Sequence, residues 1–136
     1  ELHVSDGFGV DDAAVLLNMA RREGKLADPA VAQLAGLVNH SVVGASKLLH
    51  FLSPEAFAIW DSRIYRFIYQ KAPHQYRVNS VSEYQGYLEL LRDLQRDARF
   101  PSFHASVNEK MGYPVSALRA LEVVMFLNGA VSEISS

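Results

Sequence analysis

The 136 residues predict an all-α fold, a single compact domain of six to seven helices around a central apolar C-terminal helix. Three observations carry that expectation. Strand signals, meaning alternating β-branched runs between turn residues, are nearly absent. Apolar residues recur at helical spacing, bracketed by prolines, capping side chains and glycines. With 49% hydrophobic and 21% charged residues, the chain can build one real core, which sets aside a disordered tail.

The elements follow in order. "ELHVSDGFGV" reads as a loop-like lead-in, and "DDAAVLLNMARREGK" as a helix with acidic start, basic end and Gly24 as its stop. "ADPAVAQLAGLVN" has Asp28 as expected N-cap and Pro29 at the first helical position, with Val31, Leu34 and Val38 on one face. Asn39 and His40 form its exit. A short helix runs from about Ser41 to Leu52, redirected at Pro54. Asp61 is placed to cap "SRIYRFIYQ". "KAPHQYRVN" is expected as a loop. Ser80 or Ser82 opens the longest helix, to about Ala98, ended by Pro101 and carrying Tyr84, Tyr87, Leu88, Leu91 and Leu94. "SFHASVNEKMG" makes a further short helix. The last, from Pro114 to Asn128, is apolar on most of its circumference, which predicts burial.

Composition excludes several classes. Without cysteine there is no disulfide or thiolate chemistry, and a reducing, cytoplasmic setting is expected. No apolar run approaches the roughly 18 residues of a membrane span, and no signal peptide is evident, so no membrane partner is expected. The unit is read as one domain, 1–136, and the start at Glu1 leaves room for a missing preceding domain. The formal net charge of −2 argues against a protein that wraps nucleic acid non-specifically. Locally the balance reverses. Between His40 and Arg77 stand Lys47, Arg63, Arg66, Lys71 and Arg77 against Glu55 and Asp61, a net +3. A solvated helix face gives the same pattern.

Lys47 falls inside an apolar run, with Leu48, Leu49 and Leu52 placed to pack inward. Its stem can lie along the surface with the charge in water, or its amine, if desolvated, can serve as a nucleophile. Arg63 and Arg66 share a helix face. Their expected partners are Glu83, Glu89 or Asp93; the alternative is a bound phosphate or carboxylate. Trp60 is expected in the core. Five histidines show no metal-ligand spacing, and no cofactor or metal is expected.

The segment "GASKLLHFLSPEAFAIWDSRIYRF" resembles the central part of the helix-hairpin-helix DNA glycosylases. That resemblance implies Gly44 near the hairpin, Lys47 and Asp61 as the catalytic pair, and Arg66 in the turn beyond. Trp60, Tyr65, Tyr69 and Tyr76 would then be candidates to stack a base. The hairpin's second glycine is missing from "NHSVVGASK", and lysine and aspartate stand 14 residues apart, closer than that family usually has them. The same stretch, with "SVSEYQGYLELL" and "ALRALEVVMFL", is similar to a bacterial family of uncharacterised small helical proteins. The glycosylase-like segment together with the local +3 charge leads to the expectation of a DNA-binding domain of glycosylase-like descent, with Arg63, Arg66, Lys71 and Arg77 contacting DNA. The alternative is a non-enzymatic helical module whose partner is another protein. A positive face joining those cations distinguishes the first; an exposed apolar patch with the arginines tied up in ion pairs distinguishes the second.

Overall fold

Helix α1 (Val10–Glu23) starts where the Gly9 amide donates to the Asp12 carboxylate at 2.9 Å, and ends at Gly24 in the left-handed region, φ 71°. The computed structural model describes residues 9–69 and 75–125. Helix α2 (Asp28–Leu37) buries Val31, Leu34, Ala35, Gly36 and Leu37 and packs against α1, α3 (Val42–Leu52) and α6 (Val81–Arg96), which makes it a hub of the core. Its N-cap is Ala27, not Asp28, whose carboxylate makes no cap bond. Asp28 instead occupies the first turn, where a negative charge suits the helix dipole.

Asn39 and His40, both at φ 54°, turn the chain from α2 into α3 (Val42–Leu52). A distant residue fixes this turn. The Asn79 side chain accepts from the Val42 amide at 2.8 Å and donates to the His40 carbonyl at 3.0 Å. Ser41 caps α3 by accepting from the Gly44 amide at 2.9 Å. Gly44 itself answers to packing: a Cβ there would stand 2.6 Å from Val38 Cγ1.

Helix α4 (Ser62–Tyr69) is followed by α5 (Gln75–Val78), a four-residue helix where a loop was expected. Helix α6 (Val81–Arg96) is capped by Ser80 and lays Tyr84, Tyr87, Leu88 and Leu91 into the core. Pro101 does not end it. The break falls at Asp97, and Pro101 lies in the first turn of α7 (Phe100–Met111), where its missing N–H is harmless. Gly112, at φ 83°, stops α7.

Helix α8, described over 117–125, begins after Ser116, whose hydroxyl accepts from the Arg119 amide at 3.1 Å; Pro114 lies before it. Leu118, Leu121 and Met125 are buried, as its apolar circumference predicts, and Val124 is half-buried. The part expected beyond 125 lies outside the described residues. Eight helices and no strand are found among the described residues, and no helix among them is long and apolar enough to cross a membrane.

Candidate functional site

Trp60 anchors the site from behind. Its ring is fully buried, 5.2 Å from the Tyr87 ring and 6.1 Å from that of Tyr65. Its indole N–H donates to the Val78 carbonyl at 2.7 Å. Its backbone amide donates to the buried Ser46 hydroxyl at 2.9 Å, which in turn donates to the Val43 carbonyl at 2.7 Å. Residues 57–60 are thereby tied to α3. Tyr65 belongs to this core and offers no free face for stacking.

The same stretch delivers Asp61 to the start of α4, where its Oδ1 accepts from the Ile64 amide at 3.0 Å. Asp61 is therefore an N-cap, as its place in the sequence implies. Lys47 of α3 and the start of α4 then border a groove of about 520 Å³, a size suited to a small ligand or a single nucleotide unit. Lys47, Asp61 and Arg63 line it. Ile59, Ile64, Met111 and Val123 supply apolar wall, and Arg119 and Glu122 of α8 complete it.

Three cations and two carboxylates thus surround an apolar lining. Lys47 is exposed, and neither it nor Arg119 makes an ion pair with a described residue. Arg66 and Arg77 do not line the groove: Arg66 is half-buried on α4, and Arg77 is exposed on α5. Lys71 lies outside the described residues. Of the carboxylates expected to pair with Arg63 and Arg66, Glu89 pairs with Arg92 at 3.0 Å and Asp93 with Arg96, both within α6, while Glu83 accepts from the hydroxyl of Tyr69 on α4. That last bond pushes the Tyr69 phenol up to about 12.

Glu122 is the group that sequence reasoning passed over. It is only 5% exposed. Its Oε2 accepts from the Ile59 amide at 3.1 Å and lies 3.8 Å from His50 Nδ1, which itself sits 2.9 Å from the Phe57 carbonyl oxygen. Its Oε1 is buried with no hydrogen-bond partner among the described residues. Burial drives the carboxyl above its ordinary range, opposed by the Ile59 amide, His50 and Arg119. A signal for it was present, since Glu122 follows Leu118 by four residues and precedes Met125 by three, within the buried stripe of α8.

Among the described residues no cluster of three or more histidine, aspartate or glutamate side chains is placed to hold a metal ion. Tyr76 is 82% exposed, and so is free to contact a partner, but it does not line the groove. No protein-family model, no curated protein and no solved structure matches the chain.

Proposed function

We propose that the protein is a helical nucleic-acid-binding domain, and that the groove between α3, α4 and α8 receives one unit of a strand. The observation that carries this reading is the meeting of Lys47, Arg63 and Arg119 around an apolar lining in one groove. Cations suit phosphate, and Ile59, Ile64, Met111 and Val123 suit the face of a base or sugar. Lys47 and Asp61 border the same space, which is compatible with glycosylase-like descent. Their exposure and capping roles favour binding over chemistry: Lys47 has its charge in water, and one oxygen of Asp61 serves the Ile64 amide.

The test is a salt titration of binding to single-stranded and duplex DNA. Affinity should fall steeply with salt, and the Arg63→Gln/Arg119→Gln double variant should reduce the slope by about two. Lys47→Ala should weaken binding without abolishing it. An imine trapped with base-damaged DNA only when Lys47 is present would add an enzymatic role. Absence of salt-dependent binding would overturn the reading.

A second reading, a module for a protein partner, draws on Phe51, which is 83% exposed on α3. If that reading holds, Phe51→Ser removes partner binding while DNA has no measurable affinity.

A further inference from the structure

Glu122 stands on the groove wall, yet binding of an anionic strand gives a carboxylate there no favourable partner. Its single hydrogen bond comes from the neutral Ile59 amide, and Oε1 has none among the described residues. A charged, buried, half-satisfied carboxylate beside an anion site is an expensive arrangement. The groups that face it are His50 from α3, Tyr84 and Tyr87 from α6, and Arg119 on its own helix, with Lys47, Asp61 and Arg63 around the groove.

We infer that Glu122 takes up one proton when an anionic strand enters the groove, so that binding and protonation are coupled. The inference rests on the nucleic-acid reading above. A phosphate adds negative charge and displaces water from the groove, and both effects favour the neutral acid over the carboxylate. The proton comes from solvent and is carried on Oε1, because Oε2 is already committed to the Ile59 amide. Neutral Glu122 no longer offsets the charge of Arg119, which is then directed wholly at the ligand.

The direction of the pH dependence follows. Burial already holds the Glu122 carboxyl above its ordinary value in the free protein, and the anion raises it further. Between the free and bound values the complex holds more protons than its components. Affinity therefore rises as pH falls through that window, by at most about tenfold per pH unit, and is level outside it.

The experiment is calorimetric titration with a short single-stranded oligodeoxynucleotide in two buffers of different ionisation heat. The wild-type protein and His50→Gln should both take up a proton. Glu122→Gln, whose amide oxygen still accepts from Ile59, should take up none and should bind equally well across the window. Because the variant could fold poorly, the carboxyl carbon of Glu122 is also followed by NMR in the wild-type protein. Its titration midpoint should rise when oligonucleotide is added. Uptake that persists in Glu122→Gln, uptake lost in His50→Gln, or a midpoint that stays or falls overturns the inference while leaving the groove as a binding site. No binding at any salt overturns both.

Discussion

At Ser46 a hydroxyl replaces what would otherwise be one more apolar group in α3. It is fully buried, and its position 14 residues before Trp60 gives no local hint of their contact. Ser46→Ala removes the acceptor for the Trp60 amide and should cost about 1–3 kcal/mol. Trp60→Ala, which empties the space against Tyr65 and Tyr87, should cost roughly 3–5 kcal/mol. Urea denaturation measures both; a loss below about 1 kcal/mol for Trp60→Ala would contradict the core described here. Trp60 and the capping Asp61 were legible because their roles are local or follow from size. Ser46, Asn79 and Glu122 were not, because each is defined by a partner 14 to 63 residues away. Arg119 was hidden in the same way: only the fold brings its turn of α8 beside α4.

At the scale of elements, two glycines separate packing from propensity. Gly44 lies in the first turn of α3, where an added Cβ meets Val38 at 2.6 Å, so the α2–α3 approach depends on its absence. At Gly86, mid-helix in α6, an added Cβ would meet no neighbouring group within 4 Å. Gly44→Ala should therefore destabilise by about 1–3 kcal/mol, while Gly86→Ala should stabilise by about 0.4–1 kcal/mol. Thermal unfolding of the two variants decides it; the same sign for both would refute the distinction. Helix existence was readable from periodicity and end signals, as in α1 with its stop at Gly24 and α6 with its start at Ser80. Boundaries set by proline were less so. Pro101 and Pro114 each suit a helix start or the stretch before one, and tertiary packing chose between those uses.

For the whole molecule, the mildly acidic total and the local excess of cations are compatible because the fold gathers charge unevenly. Helix α6 pairs its own charges, through Glu89, Arg92, Asp93 and Arg96. The groove instead collects Lys47 from α3, Arg63 from α4 and Arg119 from α8. The all-α class was visible from sequence, and so was the segment that holds Lys47 and Asp61. The third wall of the groove was not, since Arg119 and Glu122 follow Asp61 by 58 and 61 residues. The central claim is that this groove is where nucleic acid binds. Its most direct test is to titrate the isotopically labelled protein with a short single-stranded oligonucleotide and follow the backbone amides by NMR. Shifts should concentrate at Lys47, Asp61, Arg63, Ile64, Arg119 and Val123, with α1 and the Glu89–Arg96 face of α6 unmoved. Shifts centred on Arg77 or Phe51, or none at low salt, would contradict it.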